Sequence, residues 1–296
     1  MSELVDFHVH SNRSCDGDYS PAELIGFARD KGFRAISIAD HDTTAAYPEA
    51  VELGRAAGVE VIPSIEVTTL YAGREFHLLL PFADWGSPAL QDIVEGQNRS
   101  RTEEAIERVE KLRRLGFSLT WDEVAAKANG ASPLGVKIAQ ILLDKPENEA
   151  NPVLEFFYRK ENRPFGPYMF YKEFFTEGKH AFVAKRFIGL VEVLAAAAAT
   201  GGVPVLSHPG AYFQQTTRED ARALRKHGLA GLEVYTSYHT AEQVAEYRSI
   251  AEDLDLVPTA GSDFHGRIKP HVEFGALREG RYWMVERLRE RKGGRA

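Results

Sequence analysis

The order of the predicted elements is the feature that most restricts the fold of this chain. Buried strands alternate with helices over residues 1–86, give way to a long helical segment, and alternate again after residue 187. Repeated strand–helix units favour a parallel sheet, because each helix returns the chain to the same edge. The predicted strands are residues 4–8, 35–39, 60–64, 66–71, 75–80, 203–206, 231–235 and 257–260. Ala72 and Gly73 separate two of these strands as a hairpin rather than as a strand–helix unit.

Capping residues mark the helices between these strands. Ser20 and Glu23 form a predicted capping box with Pro21 at the first helical position, and this helix ends at Gly32. Thr217 is expected to cap a later helix in the second strand–helix portion. The pattern therefore predicts an α/β fold, a parallel barrel whose strands end at one functional face.

The segment between the two strand–helix portions is predicted to be an insertion. We expect residues 1–86 and 187–296 to form one discontinuous catalytic domain, and residues 87–186 to form an inserted helical and aromatic domain that caps the substrate. Residues 145–187 mix many aromatic side chains with lysine and arginine. Either they build a small satellite core with solvated charges, or they form a lid that clamps an anionic ligand.

Charge and cysteine content exclude several classes of protein. The 296 residues include 36 Lys and Arg against 43 Asp and Glu, a formal net charge of -7, which disfavours a general basic face for duplex nucleic acid. The single Cys15 cannot form an internal disulfide, and no basic, apolar leader precedes the first strand. The most apolar run, residues 190–199, contains Glu192 and is too short to span a bilayer. We therefore expect a cytoplasmic protein without a membrane partner or a stable nucleic-acid partner.

Side chains that bind metals collect at or just after the predicted strand ends. His8 and His10 alternate with apolar residues, so a strand places both imidazoles on one side of the backbone. The full set is His8, His10, Asp16, His41, Glu66, His77, His208, Asp263 and His265. It includes six of the ten histidines, a concentration that random scatter would not produce. We predict a metal site too large for one ion.

The chemistry of these donors narrows the choice of metal. Imidazole and carboxylate without thiolate suit Mn, Fe or Zn rather than Ca or a structural zinc–cysteine site. Taken singly, the residues also have structural interpretations. Glu66 could cap a strand, His77 could be a buried histidine with satisfied hydrogen bonds, and Asp263 could shape a turn. Their joint position at strand ends favours the metal site.

Seven of these nine residues stand in segments that resemble the motifs of the polymerase and histidinol phosphatase (PHP) superfamily of phosphoesterases. The segments are Phe7-His8-Val9-His10-Ser11, Ala39-Asp40-His41-Asp42-Thr43, Glu66, Ser207-His208-Pro209 and Gly261-Ser262-Asp263-Phe264-His265. The resemblance implies a distorted (β/α)7 barrel that holds three divalent metal ions at its mouth. It implies one metal at Glu66, His77 and His208, a second at His8, His10, Glu66 and Asp263, and a third at Asp16, His41 and His265.

A carboxylate shared by adjacent cations, which the resemblance assigns to Glu66, permits hydrolysis without a serine or cysteine nucleophile. The cations lower the pKa of bound water and neutralise the charge of the ester, so that a metal-bound hydroxide can attack phosphorus. We expect Glu66 and Asp263 to be catalytic for this reason. Asp42 is a third candidate, either orienting a metal-bound histidine or donating a proton to the leaving oxygen.

The predicted substrate is a small phosphorylated metabolite, an AMP-like nucleotide or a sugar phosphate. Lys179 and Arg186 lie in segments that resemble the part with which small-molecule PHP phosphatases hold a second phosphate, although ordinary surface charge is the alternative for both. Ser132 matches a substrate-binding serine of relatives that act on nucleoside 3',5'-bisphosphates. No basic residue follows it before Lys137, which leaves room for another ester, including a ribose cyclic phosphate.

Three other functions stay open from the sequence. A 3',5'-nucleoside bisphosphate phosphatase or a short 5'–3' exoribonuclease would use the same predicted centre. A metal-dependent amidohydrolase is also compatible, because similar barrels catalyse hydrolysis of carbon–nitrogen bonds. Lys179, Arg186 and a third metal favour phosphate chemistry over amide hydrolysis.

Overall fold

The strands form two sheets in the computed structural model, which describes residues 3–128 and 130–293. They are β1 (Val5–Val9), β2 (Ala35–Ile38), β3 (Glu60–Val61), β4 (Glu66–Tyr71), β5 (Arg74–Leu79), β6 (Val205–Leu206), β7 (Gly231–Thr236) and β8 (Val257–Gly261). β1, β2 and β3 form a parallel sheet in that order. β4 to β8 form the second sheet in chain order, with antiparallel pairing from β4 to β6 and parallel pairing from β6 to β8. The predicted strands and their strand–helix order are confirmed.

Turn residues and prolines explain where several strands end. Ala72 and Gly73 both adopt positive φ, 50° and 76°, as a tight hairpin turn between twisted strands requires, so the predicted hairpin is confirmed. β3 and β6 are shorter than predicted, two residues each. Pro63 and Pro204 lie inside the longer predicted strands, and a proline has no N–H to donate to a neighbouring strand.

Single bridges connect the two sheets near the ends of four strands. His41, which follows β2, pairs with Glu66 at the start of β4. Val9 at the end of β1 pairs with Phe264, which follows β8. The His10 amide donates to the carbonyl of Phe264 at 2.9 Å. The ends of β1, β2, β4 and β8 therefore meet in one region.

The helices begin at residues that satisfy their first amide groups. Ser20, Thr120, Thr217 and Thr240 each form a complete capping box, which confirms the box predicted at Ser20 and the cap predicted at Thr217. The helices are α1 (Pro21–Asp30), α2 (Tyr47–Ala57), α3 (Pro88–Arg114), α4 (Trp121–Lys127), α5 (Gly135–Leu143), α6 (Glu155–Tyr158), α7 (Gly166–Phe174), α8 (Leu190–Thr200), α9 (Arg218–Lys226), α10 (Ala241–Asp253) and α11 (Tyr282–Gly293), with 3-10 turns at Pro146–Asn148, Pro152–Leu154 and Arg163–Phe165. Within the described ranges, none of these helices is long and apolar enough to cross a membrane.

The sheets are covered by apolar helix faces. Phe76 and Leu78 of β5 pack in one buried cluster with Leu190 and Val193 of α8. Burying such side chains removes apolar surface from water, which stabilises the fold by roughly 1.5–3 kcal/mol for each large residue. This packing fixes the strands, and therefore the side chains at their ends.

A separate aromatic cluster lies between the two strand–helix portions. Its buried members come from residues 105–181 and include Phe117, Phe157, Phe170 and Phe174. The rings of Phe170 and Phe174 stack with centroids 4.2 Å apart. Most of the aromatic side chains in this segment therefore pack against one another, as a satellite core would require.

The long helix α3 links this cluster to the sheets. Leu90 and Ile93, near its start, pack in the same cluster as β5 and α8. Ala105 and Val109, four turns later, pack in the aromatic cluster. One 27-residue helix thus spans both cores, and its middle turn faces the region where the strand ends meet.

Candidate metal centre

Nine side chains of the predicted set converge at the strand ends. His8 lies in β1, Glu66 begins β4, and His77 lies in β5. The others follow strands or lie in the loop after β1: His10, Asp16, His41, His208, Asp263 and His265. All are buried except His41, which is half-buried. The structure brings together every residue that the sequence predicts as a metal ligand.

Glu66 lies at the middle of this cluster because both of its carboxylate oxygens face imidazole nitrogens. Its Oε1 is 3.0 Å from His77 Nδ1 and 3.0 Å from His208 Nε2. Its Oε2 is 3.1 Å from His8 Nε2 and 3.2 Å from His10 Nε2. One carboxylate therefore faces two pairs of histidines, which is the arrangement of a ligand shared by two ions.

Four donor atoms, one of them Oε2 of Glu66, have the spacing of a tetrahedral site. His8 Nε2 and His10 Nε2 are 3.0 Å apart. Asp263 Oδ1 lies 3.4 Å from the first of these nitrogens and 3.1 Å from the second. Ligands about 2.0–2.1 Å from a tetrahedral ion are about 3.3–3.4 Å from one another. The donors of His8, His10, Glu66 and Asp263 therefore fit one divalent ion.

A third group of donors lies beside His10. Asp16 Oδ2 is 3.1 Å from His265 Nε2 and 3.7 Å from His41 Nε2. The imidazoles of His10 and His265 stack with centroids 3.9 Å apart. His41 also directs Nδ1 to within 3.2 Å of Glu66 Oε2. This imidazole therefore joins the third group to the shared carboxylate.

Three carboxylate oxygens of the centre are buried without a hydrogen-bond partner in the described part of the chain. They are Asp16 Oδ1, Glu66 Oε2 and Asp263 Oδ1. An unpaired buried acceptor is costly, and a coordinated cation would remove that cost. Cys15 is not among the donors, and burial raises the pKa of its thiol to about 12. The residues thus fit divalent ions that prefer imidazole and carboxylate.

Mutual charges shift the pKa values of these side chains strongly. Burial lowers the pKa of His10, but the adjacent carboxylates of Asp263 and Glu66 outweigh burial and raise the pKa to about 9. Burial raises the pKa of Glu66, but the charges of His8 and other histidines hold it well below its usual range. The pKa of Asp263 is also held low, against burial, by Lys269 and His8. A cation entering this centre must displace protons from imidazole.

The first half of the chain matches a known protein family. Residues 6–157 match the family model of the PHP domain. The chain belongs to the PHP family. A protein from Bifidobacterium adolescentis assigned as a metal-dependent phosphoesterase has the same fold, with a TM-score of 0.82, 26% identity, and coverage of 98% of this chain and 97% of that one. The predicted PHP fold is confirmed.

Three curated relatives align with nearly the whole chain. A 5'-3' exoribonuclease of Haemophilus influenzae is 27% identical over 90% of this chain and 91% of its own length. A phosphoribosyl 1,2-cyclic phosphate 1,2-diphosphodiesterase of Eggerthella lenta is 28% identical over 92% of this chain and 98% of its own length. A 3',5'-nucleoside bisphosphate phosphatase of Chromobacterium violaceum is 26% identical over 91% of each. All three names describe hydrolysis of phosphate esters.

Glu233 is a functional residue of this PHP centre that the sequence analysis missed. It lies fully buried in β7, where Oε1 is 3.1 Å from His8 Nδ1 and Oε2 accepts from the His208 amide at 2.7 Å. A carboxylate that holds the second nitrogen of a histidine fixes its tautomer and its ring orientation. The available signal was an acidic residue between Leu232 and Val234 in a buried strand.

Backbone strain accompanies the centre at the strand ends. Asp42, His208 and Asp263 adopt positive φ, 50°, 24° and 55°, which costs energy in a residue with a side chain. These strained positions turn the chain sharply after β2, β6 and β8. The turns direct side chains from different strands towards one point.

Asp42 has a different environment from the one the sequence analysis expects. Its carboxylate is fully buried and lies 2.5 Å from the guanidinium of Arg101 on α3. It also accepts from the Thr68 amide at 3.2 Å and from Gln97 at 3.3 Å. No hydrogen bond in the described chain joins this side chain to a histidine. The structure therefore places Asp42 as the partner of Arg101 rather than as an orienter of a metal ligand.

The PHP centre opens into a cavity of about 730 Å³ between the sheets and the inserted segment. His41, His77 and His265 form its inner end. The rest of the lining includes aromatic side chains, cations and two carboxylates: Phe165, Tyr168, Tyr171, Tyr212, Tyr238, Arg101, Arg108, Lys185, Lys269, Glu75 and Glu104. The cavity thus combines planar apolar surfaces with cationic groups, two features of a site for an anionic organic molecule.

Each of these cations has a carboxylate partner. The pairs are Arg101 with Asp42, Arg108 with Glu104, Lys185 with Glu75, and Lys269 with Asp263. Sequence reasoning missed these pairs. The partners of Arg101 and Lys185 lie in distant elements, whereas Glu104 is one turn before Arg108 on α3 and Asp263 is six residues before Lys269. The spacing of Arg101 and Arg108, seven residues apart on one helix face, was the available signal.

The predicted substrate contacts lie elsewhere. Lys179 is exposed and pairs with Glu173 at 3.0 Å, and Arg186 is exposed and pairs with Glu107 at 2.9 Å. Neither lines the cavity, so the structure does not bring them to the centre. Ser132 lines a smaller cavity of about 220 Å³ beside His41, where its hydroxyl bonds to the Asn98 side chain at 2.7 Å. Local resemblance gave no information on side-chain direction, which explains the difference for Lys179 and Arg186.

Proposed function

We propose that this protein hydrolyses phosphate esters of a small phosphorylated metabolite, a nucleotide, a sugar phosphate or a ribose cyclic phosphate. Membership of the PHP family makes the chain a metal-dependent phosphoric ester hydrolase. The observation that carries the proposal is the position of Glu66, whose Oε1 lies 3.0 Å from two histidine nitrogens and whose Oε2 lies 3.1–3.2 Å from three. A shared carboxylate of this kind supports hydrolysis at a cluster of ions.

The residues around Glu66 divide into three sets that would hold three divalent ions of Mn, Fe or Zn. The sets are Glu66, His77 and His208; His8, His10, Glu66 and Asp263; and Asp16, His41 and His265. Ions bound there would lower the pKa of coordinated water and neutralise charge on the ester. The chain itself contributes the fixed orientation of the donors, because Glu233 holds His8 and Lys269 holds Asp263.

The catalytic domain and the inserted domain have separate roles in this proposal. We assign the metal centre to residues 1–86 and 187–296, in a distorted (β/α)7 barrel, and substrate capping to residues 87–186. The single bridges between the two sheets support the barrel. The aromatic cluster of residues 105–181 supports the inserted domain, although α3 packs in both.

The lining of the large cavity supports a substrate with a planar or sugar body. Tyr168, Tyr212 and Phe165 are partly exposed, and each lines the cavity. Aromatic faces pack against bases and sugar rings, and nearby cations attract phosphate. Arg101 and Lys269, beside the centre, would face an ester bound there, which supports phosphate rather than amide substrates.

A substrate screen tests this proposal directly. Purified protein loaded with Mn²⁺ is assayed for release of phosphate or alcohol from nucleoside and sugar mono-, bis- and cyclic phosphates, and from a panel of amides. We expect turnover of at least one phosphate ester, and loss of that turnover in Glu66→Gln. Activity on amides alone, or ester turnover by the metal-free protein, would contradict the proposal.

A 5'–3' exoribonuclease is the second candidate. The Haemophilus influenzae relative supports it, and so do the exposed rings of Phe165, Tyr168 and Tyr212, which could stack on successive bases. Short RNA with a 5'-phosphate, added to the same screen, distinguishes the two candidates. Stepwise release of mononucleotides at a higher kcat/KM than any small ester would favour the nuclease.

A further inference from the structure

Both ring nitrogens of His77 are engaged, one by the centre and one by a carboxylate outside it. Nδ1 lies 3.0 Å from Glu66 Oε1, and Nε2 lies 2.9 Å from Glu75 Oε1. Glu75 and His77 are two residues apart in β5, so their side chains leave the same face of the strand. The contact between them therefore follows from the strand itself and needs no rearrangement.

Lys185 holds the other oxygen of Glu75. Its ammonium contacts Glu75 Oε2 and lies 3.3 Å from the hydroxyl of Tyr171 on α7. The side chains of Lys185 and Glu75 are only 20% and 19% exposed, so solvent weakens this ion pair less than it would a surface pair. A continuous chain of contacts thus runs from Tyr171 in the inserted segment to His77 in the centre.

We infer that Glu75 and Lys185 are positioning residues. They fix the orientation of His77 as a metal ligand, and they couple metal binding at His77 to the packing of the inserted segment. The inference rests on the proposed function, in that it requires a metal at Glu66, His77 and His208. Glu75 accepts a hydrogen bond from Nε2–H of His77, so that the Nδ1 lone pair of this imidazole faces Glu66 and the ion. Lys185 restrains the Glu75 carboxylate and balances its charge.

The contact between Glu75 and Lys185 also couples two equilibria, metal binding at His77 and packing of α7 against β5. A metal at His77 favours the orientation that Glu75 holds, and Lys185 transmits this preference to Tyr171 and α7. By linkage, anything that seats α7 against β5 also favours metal binding at His77. An ion pair that serves packing alone would have no such effect. Lys145 and Glu123 provide that comparison, since they pair at 2.6 Å within the inserted segment and neither is a proposed ligand.

The test uses the full chain and measures metal binding without turnover. Mn²⁺ and Zn²⁺ affinities are measured by competition with a chromophoric chelator for wild type, Glu75→Gln, Lys185→Met and the double variant. We expect one bound ion, the one at Glu66, His77 and His208, to lose affinity by roughly 10–100-fold in Glu75→Gln, the range for residues that orient a ligand. We expect a smaller loss in Lys185→Met and no further loss in the double variant. Lys145→Met is the matched control and should bind as wild type does.

Hydrogen exchange of α7 supplies a second readout. In wild type, adding metal should slow exchange in residues 166–174, and this effect should be absent in Lys185→Met. Unchanged metal affinity in both Glu75→Gln and Lys185→Met would overturn the inference, as would a metal effect on α7 that survives in Lys185→Met. If Glu75→Gln does not fold, Lys185→Met and Glu75→Asp decide the question. Failure of the wild-type chain to bind metal would instead overturn the proposed function.

Discussion

Glu233 Oε1 in β7 lies 3.1 Å from Nδ1 of His8 near the end of β1, and both side chains are fully buried. The imidazole therefore presents Nε2 to Glu66, His10 and Asp263 in a fixed orientation. We predict that Glu233→Gln lowers metal affinity and kcat by roughly 10–100-fold while the protein stays folded. The amide keeps the shape of the carboxylate but loses the charge that makes His8 a stronger ligand. Chelator competition and steady-state kinetics measure the two effects.

Glu246→Gln is the matched control for this change. Glu246 lies exposed on α10, the helix that packs on β7, so the same substitution there leaves the centre untouched. Equal metal affinity in Glu233→Gln and Glu246→Gln would show that the contact with His8 has no role in metal binding.

The ion pair of Asp42 and Arg101 yields a prediction about stability. Removing one partner of a buried pair leaves the other charge uncompensated, which costs about 3–5 kcal/mol. We therefore expect Asp42→Asn to lower the free energy of unfolding by about that amount, measured by urea denaturation. A residue that acted only as a proton donor would leave stability unchanged and would shift the pH–rate profile instead.

The sequence predicts the clustering of the imidazole and carboxylate side chains because its signals are local. A strand-end position and a period of two were enough to place His8, His10 and Asp263 in one cluster. The hairpin around Ala72 and Gly73 was equally predictable, because a two-residue link that contains glycine is a local signal of a tight turn. The positive φ of both residues agrees with this turn.

The rest depended on contacts between distant elements. In the sequence, Glu233 is only an acidic residue in a predicted strand. Its partner, the His208 amide, is brought to it by the pairing of β7 with β6. Arg101 and Arg108 read as solvated charges on a helix, and only the packing of α3 directs them into the cavity. Periodicity shows which face of an element is buried, but it does not identify the partner.

Metal binding should release protons and become tighter as the pH rises. His10 has a pKa of about 9 in the metal-free centre, against an ordinary value of 6.5, so its imidazole holds a proton through neutral pH. Its ion pairs with Asp263 and Glu66 stabilise the metal-free fold fully below about pH 6.5, and this contribution is lost as the pH rises through about 9. A cation must displace this proton. Isothermal titration in buffers of different ionisation enthalpy should therefore show proton release at pH 7. Binding without proton release would contradict this pKa.

The number of bound ions distinguishes a shared ligand from an ordinary one. Glu66 contacts His77 and His208 through one oxygen and His8 and His10 through the other, so its loss should empty two sets of donors at once. His265 contacts Asp16 at 3.1 Å in the third set and lies outside the other two proposed sets.

We therefore expect Glu66→Gln to bind two ions fewer than wild type, and His265→Asn to bind one fewer, by elemental analysis after dialysis. Turnover in Glu66→Gln should fall by more than the roughly 100-fold expected for residues that only orient a ligand, because here a ligand itself is removed. His180→Asn, at an exposed site outside the centre, is the control for the histidine substitution. Equal metal content in Glu66→Gln and His265→Asn would mean that Glu66 serves one ion, and the centre would then hold fewer metals than proposed.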